Sequence, residues 1–448
     1  MKSEFGRTFK VSISGGSHEP EMTVEMTGLP VGFTVDMKKV CDFLKRRSPG
    51  EENYTTARQE KDIPLLKNGT EELEVDEVIV PADGKLCFVV KNSNTDKTAY
   101  ENMLPRPGHA DLPAYLKYKG EVDMSGGGPF SGRMTVMLCI AGAIALQYLQ
   151  QHNIKIASRV LSIGQASGPQ TDLVEPKAIP MTDYMLEEME FAKNDNNSVG
   201  GVVEAFATGL PLGLGGPMYD GMESILSPIA FGIPAVKGVE FGNGFAASYL
   251  LGSENNDDFL AITKDERIIT ATNNHGGILG GLTTGMPLVM RVAFKPAPSI
   301  GKKQSTVDPV TGKPEDIQIQ GRHDACFVPR AAAVVEAALA VGLMDAILSD
   351  KTLHKDRDIS DMRDDIDRID AEIASLLNKR MELSGEIAKY KMNHDIPVLD
   401  TGREAQVLSK VGPDLKDIYI KIMEKSKEKQ KMILEENMLN GGKEAEGK

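Results

Sequence analysis

The chain has 448 residues, of which 41% are hydrophobic and 26% charged, and its formal net charge is −14. This length allows roughly two to four domains, and the negative charge argues against nucleic acid as a partner. Any site for an anion must therefore be locally cationic.

The amino-terminal stretch "MKSEFGRTFKVSIS" has no apolar signal-peptide core, and no run approaches the roughly 18 apolar residues that cross a bilayer. We therefore expect a cytoplasmic protein with no membrane partner. Four widely spaced cysteines predict neither a disulfide framework nor a metal site: Cys41, Cys87, Cys139 and Cys326.

From residue 1 to about residue 350 the chain is glycine-rich and alternates short strands with loops. In "EMTVEMTG", Met22, Val24 and Met26 alternate with polar residues, which is the pattern of a half-buried strand. The stretches "VVEAFATG" and "PLVMRVAF" show the same alternation.

Two further stretches in this region, 135–149 and 330–348, are helix-length and apolar nearly all round, so they must be covered on several sides. The economical arrangement is an α+β domain over residues 1–350, with antiparallel sheets enclosing a helical layer.

A charged stretch without apolar periodicity predicts a linker at 351–360, and after it the pattern is purely helical. A first helix of about 30 residues would be about 45 Å long, too long for so small a domain to cover, so a second protomer is expected to cover the remainder. A short helix near Thr401 and a third ending near Asn437 complete an all-α three-helix domain at 361–437, followed by a disordered tail at 438–448.

Polar residues on these helices form candidate site positions. Arg380 and Lys391 are three turns apart and share a face about 16 Å long, whereas Arg363 is rotated roughly 100° from that face. Ser426 and Gln430 are i, i+4 neighbours on the last helix. Spacing alone favours an ordinary salt-bridged helix surface over a site.

The complete set of polar positions, however, resembles the all-helical family of chorismate mutases over residues 361–437: Arg363, Arg380, Lys391, Asp400, Arg403, Glu404, Ser426 and Gln430. The resemblance implies rearrangement of chorismate to prephenate, a pericyclic step that needs only positioning and electrostatics.

By that pattern, Arg380 and the partner subunit's Arg363 clamp two carboxylates, and Lys391 with Gln430 hydrogen-bonds the ether oxygen. Asp400 and Glu404 would fix the hydroxyl side, and Arg403 and Ser426 would complete the substrate-binding set.

Two histidines lie in glycine-rich turns of the first region: His18 in "SGGSHEP" and His109 in "RPGHADL". A loop imidazole suits proton transfer, although one such motif alone is equally well a solvated histidine. Taken with "RRSPG", "SGGGPFSGR", "GSENND", "TNNHGGILGG", "KPAPSI" and "GRHDACFVPRAAAVVEAALA", the two turns resemble chorismate synthase from near residue 1 to about 350.

This resemblance implies elimination of phosphate and a proton from 5-enolpyruvylshikimate 3-phosphate to give chorismate, with reduced FMN, no net redox change and a tetrameric assembly. NADPH would serve only to reduce the flavin. By motif, His18 would meet the leaving phosphate, His109 would donate a proton beside the flavin, and Asp324 would assist proton removal. The substrate-binding residues would be Ser17, Arg47, Arg106, Ser131, Arg133 and Arg322, and the flavin contacts would be Ala235, Gly280, Lys295, Ser299 and Arg322.

The sequence departs from the synthase pattern at a few positions, which lowers the positive charge of the site: Gly16, Glu19, Asn53, Pro129 and Phe130. These changes motivate an alternative in which the first region is a scaffold or regulatory domain for the mutase. A dinucleotide-binding interpretation of "GNGFAA" at 242–247 is disfavoured, because "GSENND" follows within five residues and leaves no room for the helix that holds a pyrophosphate.

Overall fold

The structure is a computed structural model that describes residues 2–48, 60–93, 95–100, 103–169, 172–264, 267–319, 324–350, 359–394, 397, 401–409, 411–412 and 415–445. Within helices, some side chains of the second unit lie outside the description, among them that of Arg363. The chain divides into two compact units, Met1–Leu353 and His354–Lys448.

The first unit contains two large sheets, with strands numbered in chain order. The six-stranded sheet is built of β1 (Lys2–Phe5), β2 (Lys10–Gly15), β3 (Glu21–Thr27), β5 (Leu65–Asn68), β6 (Glu71–Leu73) and β8 (Leu86–Lys91), in the order β1-β2-β3-β8-β5-β6. The five-stranded sheet is built of β9 (Lys155–Ile163), β10 (Ala166–Ser167), β11 (Gly201–Thr208), β12 (Val236–Phe241) and β17 (Leu288–Phe294), in the order β10-β9-β11-β17-β12.

Four two-stranded sheets complete the strands of this unit. They are β4 (Thr34–Asp36) with β7 (Glu77–Ile79), β13 (Phe259–Ile262) with β14 (Ile268–Thr270), β15 (Ile278–Leu279) with β16 (Leu282–Thr283), and β18 (Gln304–Val307) with β19 (Pro314–Ile317). All strand pairings within the described ranges are antiparallel.

The helices of the first unit are α1 (Met37–Arg47), α2 (Asp111–Tyr118), α3 (Thr135–Gln151), α4 (Asp183–Asn194), α5 (Met222–Phe231), α6 (Gly252–Asn255) and α7 (Val328–Ser349). Helix α3 packs on β2 and β3, α7 packs on β9 and β11, and α3 and α7 pack on each other. The predicted α+β fold, with antiparallel sheets enclosing a helical layer, is confirmed.

The inward face of β3 shows how the sequence pattern builds this core. Met22, Val24 and Met26 are fully buried and alternate with half-buried polar residues, as the period-2 pattern predicts. Helices α3 and α7 approach closely where Gly142 meets Ala337, since a Cβ added at Gly142 would lie 2.3 Å from the Ala337 Cβ.

Two helices of the first unit, Gly132–Gln151 and Val328–Ser349, are long and apolar enough to cross a membrane. In their most apolar stretches, 78% and 89% of the residues, respectively, are buried inside the protein. A buried core helix can have the same length and apolar composition as a membrane-spanning helix, and these two helices are buried in that way.

The second unit consists of α8 (Ile359–Asn393), α9 (Thr401–Ser409) and α10 (Lys416–Ala445). Helix α8 begins two residues earlier than predicted, within the expected linker. Helix α10 continues past the predicted end near Asn437 to Ala445, so most of the stretch predicted as a disordered tail is helical. It passes through Gly441 and Gly442, because each glycine costs only about 1 kcal/mol in a helix. Ser384, Gly385 and Ala388 of α8 and Met423 and Ser426 of α10 are buried where these helices pack.

Candidate active sites

A loop of three consecutive glycines joins the two predicted catalytic histidines. Gly126, Gly127 and Gly128 have φ values of 59°, 95° and 51°, in the left-handed region that favours glycine. A Cβ at Gly126 would lie 2.2 Å from Cε1 of His18, and one at Gly127 would lie 3.0 Å from Nε2 of His109. Since neighbouring Cα atoms are about 3.8 Å apart, the two imidazoles flank one short loop.

His18 and Ser17 lie in the turn between β2 and β3 and are almost fully buried. The Ser17 N–H donates to the Gly128 carbonyl over 3.2 Å, which ties this turn to the glycine loop. The His18 ring meets the Tyr100 ring edge-on, with centroids 4.9 Å apart. Ser131, also predicted at this site, lies beside Gly127, because a Cβ there would be 3.4 Å from the Ser131 Cβ.

His109 is oriented by Asp111, which the sequence reasoning did not single out. Nδ1 of His109 lies 2.6 Å from Oδ1 of Asp111, and Arg106 donates to both oxygens of that carboxylate over 2.7 and 2.9 Å. Burial acts to raise the pKa of Asp111, but the hydrogen bonds from Arg106 and His109 outweigh it and hold the pKa well below its usual range. The ionised carboxylate accepts the Nδ1 hydrogen and leaves Nε2 facing the glycine loop.

Three of the predicted flavin-contact residues are connected to the His109 turn. Nζ of Lys295 donates to the Gly108 carbonyl, Ser299 Oγ accepts from Arg106 over 3.2 Å, and the Lys295 N–H donates to the Ala235 carbonyl over 3.0 Å. Burial, and then the nearby Lys237, lower the pKa of Lys295, so two ammonium groups lie close together here.

The fourth predicted flavin contact, Gly280, lies in the turn between β15 and β16. A Cβ at Gly280 would meet nothing within 4 Å, so the backbone is open on that side.

The predicted cations Arg47 and Arg133 share one carboxylate, Asp62. Arg47 Nη1 donates to Asp62 Oδ2 over 2.7 Å, and Arg133 Nη1 donates to the other oxygen. Arg133 also lies 3.9 Å from Glu60. All four side chains are at least nine-tenths buried, so these guanidinium charges are largely balanced inside the protein. In the sequence, the signal for these ion pairs is the presence of two acidic residues in "QEKD", Glu60 and Asp62, which the prediction did not include.

Asp324 forms an ion pair of 2.5 Å with Arg330 in the first turn of α7. Burial is the main cause that lowers the pKa of Arg47, and Arg133 and Arg330 add to it, which places Arg330 in the same charged region. Arg322 and Asn53 lie outside the described residues. Of the departures from the synthase pattern, Pro129 and Phe130 directly follow the glycine loop.

In the second unit the structure joins Arg380 to Ser426. Nη1 of Arg380 donates to Oγ of the buried Ser426 and lies 3.4 Å from the Ile422 carbonyl. Gln430 is half-buried one turn further along α10. The predicted neighbours Arg380, Ser426 and Gln430 therefore lie along the α8–α10 contact.

The remaining mutase positions are held by other partners. Lys391 Nζ donates to the Pro397 carbonyl over 3.0 Å, Glu404 pairs with Lys427 at 2.9 Å, and the exposed Arg403 donates to Gln406 over 2.5 Å. Asp400 and the side chain of Arg363 lie outside the described residues.

Over the part of the chain that the structure describes, no three His, Cys, Asp or Glu side chains gather as a metal-binding group.

Comparison with known proteins identifies both parts of the chain. The family model for chorismate synthase matches residues 9–348, and the model for chorismate mutase type II matches residues 362–431. The chorismate synthase of Lancefieldella parvula is 39% identical over 377 residues, covering 78% of this chain and 97% of that protein. The chorismate synthase of Thermococcus kodakarensis is 41% identical over 358 residues, covering 77% and 97%.

A solved structure, "Crystal Structure of Chorismate Synthase", has the same fold, with a TM-score of 0.60 at 24% sequence identity, and covers 83% of this chain and 99% of that one. The chain therefore belongs to the chorismate synthase family and carries a type II chorismate mutase domain after its synthase domain.

Proposed function

We propose that the two domains catalyse consecutive reactions: the first eliminates phosphate from 5-enolpyruvylshikimate 3-phosphate to give chorismate, and the second rearranges chorismate to prephenate. The observation that carries the first activity is the glycine loop, whose adjacent residues Gly126 and Gly127 contact His18 and His109. The family match over residues 9–348 favours an active synthase over the scaffold alternative.

The donor set around His109 fits reduced FMN. Lys237 and Lys295 together provide positive charge suited to an anionic cofactor, and Ser299 and the backbone near Ala235 provide polar contacts beside it. When bound, reduced FMN would supply electron density to the substrate and take it back, so that the reaction has no net redox change. NADPH is the candidate reductant of the free flavin.

Each protein group has a defined task in the elimination. As the C–O bond breaks, the phosphate leaves with the electron pair, and His18 neutralises its growing charge by donating a hydrogen bond or a proton. His109, held by Asp111 with Nε2 facing the glycine loop, keeps a proton available beside the cofactor. Asp324 assists removal of the carbon-bound proton, and Ser17 and Ser131 add hydroxyl contacts to the substrate.

The arginines orient the substrate. Arg47, Arg106 and Arg133 supply guanidinium N–H donors suited to a carboxylate or phosphate, and Arg322 adds a fourth cation by family resemblance. Because Asp62 and Asp111 already accept from these guanidinium groups, the substrate binds to their remaining N–H donors. Arg133 supports this, since its Nη2 is buried and has no hydrogen-bond partner among the described residues.

For the rearrangement, Arg380 and the partner subunit's Arg363 hold the two carboxylates, with Arg403 and Ser426 completing the substrate contacts. Lys391 and Gln430 stabilise negative charge at the ether oxygen, and Asp400 and Glu404 hold the hydroxyl side. The contact of Arg380 with Ser426 supports a polar site along the α8–α10 seam.

The exposed apolar residues support a homo-oligomer. On α8 they form one stripe that a second copy of the mutase domain would cover in a dimer: Ile366, Ile373, Leu376, Leu383, Ile387 and Tyr390. The first unit exposes apolar residues on β13 and in the short helical segment before α6, which we assign to a synthase tetramer: Phe245, Tyr249, Leu251, Phe259, Leu260 and Ile262. We expect this assembly to work in the cytoplasm on small anionic substrates.

Each activity of the chain serves as the control for the other. Phosphate release is measured anaerobically with reduced FMN, and prephenate formation is measured from chorismate. We expect His18→Ala and His109→Ala to lower phosphate release by about 100-fold or more while leaving prephenate formation intact. We expect Lys391→Ala to abolish prephenate formation without unfolding the domain or changing phosphate release.

Two results would contradict this assignment. Wild-type protein that releases no phosphate above the His109→Ala variant would restore the scaffold alternative. Full mutase turnover in Lys391→Ala would remove Lys391 from the second site.

A further inference from the structure

Asn92, directly after β8, is buried, and both polar atoms of its side chain form hydrogen bonds. Its amide Nδ2 donates to the Gly16 carbonyl over 3.1 Å and to the Glu19 carbonyl over 2.7 Å. Its Oδ1 accepts from Nε of Arg133 over 3.1 Å, and its backbone N–H donates to the Pro20 carbonyl over 3.0 Å.

These bonds fix the turn that carries His18 at both of its ends. Gly16 and Glu19 are the residues on either side of the Ser17–His18 pair, so one carboxamide holds the backbone before and after it. Arg133 has only donors, so the atom that faces it must be the amide oxygen, and the two N–H groups must face the turn. The orientation of Asn92 is therefore determined by its surroundings.

We propose that Asn92 is a positioning residue for the elimination: its carboxamide holds the Ser17–His18 turn where His18 meets the leaving phosphate, and Arg133 holds the carboxamide. This inference rests on the role proposed above for His18. It also gives Arg133 a second task, because the same guanidinium group that faces the substrate orients the residue behind the catalytic turn.

Positioning has a specific kinetic signature. The Asn92 side chain is bonded to the backbone of the turn and to Arg133, so its loss should disturb the alignment of His18 more than the binding of cofactor. Displacement of a catalytic group by about 1 Å costs on the order of 100-fold in rate. The effect should therefore appear in kcat for phosphate release, with much smaller changes in KM and FMN affinity.

Gln147 offers a matched control in the same unit. It is equally buried, its Oε1 accepts from the Asp36 N–H over 2.9 Å, and its Nε2 donates to the Asp36 carbonyl over 3.0 Å. Gln147→Ala thus removes a comparable backbone-binding carboxamide from α3 without touching the turn of His18.

The experiment compares Asn92→Ala with Gln147→Ala in the full chain. We expect Asn92→Ala to lower kcat for phosphate release at least about tenfold, with KM and FMN affinity within about threefold of wild type. Gln147→Ala should stay within about twofold in all three quantities. Prephenate formation by the same preparations should match wild type, which shows that the second unit is intact, and unchanged FMN affinity shows that the first unit is folded.

If Asn92→Ala does not fold, Asn92→Asp is used in its place. This isosteric change keeps an acceptor for Arg133 and removes both N–H donors to the turn of His18. We expect the same loss of kcat for phosphate release. The inference is overturned if the Asn92 variants lose no more kcat than Gln147→Ala, or if only KM changes. Wild-type protein without phosphate release would instead overturn the proposed function, and this inference with it.

Discussion

Gly127 lies against His109, so a substitution that adds one methyl group at Gly127 tests the synthase site. A Cβ at Gly127 would lie 3.0 Å from Nε2, at a φ of 95° that L side chains rarely adopt. We expect Gly127→Ala to lower phosphate release at least about tenfold, because the imidazole must move away from the loop. The measurement is anaerobic phosphate release with reduced FMN.

Gly213→Ala is the control, because Gly213 has a φ of 78° and no heavy atom within 4 Å of an added Cβ. The Gly213→Ala variant therefore has a similar backbone strain, but its added methyl group contacts no neighbouring side chain. Equal losses in both variants would mean that strain, and not the position of His109, accounts for the result.

Asp111 determines how His109 presents its second nitrogen. In Asp111→Asn the amide can either donate or accept, and the negative charge that pairs with Arg106 is lost, so the imidazole is no longer held as an Nδ1 donor. We expect phosphate release to fall by about 100-fold. Asp257→Asn is the control, because Asp257 forms a similar pair, 2.9 Å from Nδ1 of His275. We expect this variant to lower phosphate release less than about threefold. Similar losses of phosphate release in both variants would contradict a special role for Asp111.

At the scale of elements, the layer of α3 and α7 depends on close packing at Gly142. A methyl there would lie 2.3 and 2.5 Å from Cβ and Cα of Ala337, so one helix must shift. We expect Gly142→Ala to lower the free energy of unfolding of the first unit by about 1 to 3 kcal/mol, measured by chemical denaturation. Gly252→Ala, where an added Cβ meets nothing within 4 Å, should change it little; equal effects would argue against the packing explanation.

The elements of the core could be predicted because burial determines their sequence patterns. The alternation of β3 and the all-round apolar faces of α3 and α7 follow from what each element packs against. The start of α8 and the end of α10 were predicted less accurately. Gly441 and Gly442 are a stop signal in the sequence, yet α10 runs through them, because each glycine costs only about 1 kcal/mol in a helix.

The catalytic residues could be predicted only as types in motifs. His18 and His109 are ninety-one positions apart in sequence, and it is the glycine loop that joins them in space. Asn92 and Asp62 were missed because an amide or a carboxylate gains its role from the group it contacts, and their contacts with the His18 turn and with Arg133 join residues far apart in sequence. Asp111 lies only two residues after His109 in the same turn, so its signal is local and was overlooked.

For the whole molecule, ion-paired carboxylates predict loss of stability in acid. Burial alone would raise the pKa of Asp111, Asp123 and Glu204, but hydrogen bonds and nearby cations outweigh it and lower all three, that of Asp123 to about 2. A group with a depressed pKa in the folded state stabilises the protein above its ordinary pKa and loses this contribution as pH falls.

We therefore expect the free energy of unfolding of the first unit to stay level from about pH 7 to 5 and to decline below about pH 4. Urea denaturation across this range measures it, and Glu204→Gln, which removes the titrating carboxylate that pairs with Arg159 and Arg291, should make the acid dependence shallower. Greater stability at pH 3 than at pH 6 would contradict this account.

The sharing of Asp62 by Arg47 and Arg133 also bears on how substrate arrives. Their charges are already balanced locally, so at long range an approaching anion meets the overall charge of −14. Added salt shortens the Debye length to about 8 Å at 0.15 M and screens that repulsion. Encounter with a phosphorylated dicarboxylate should consequently become faster as ionic strength rises, the reverse of what electrostatic steering produces, and stopped-flow association rates across a salt series would reveal the sign.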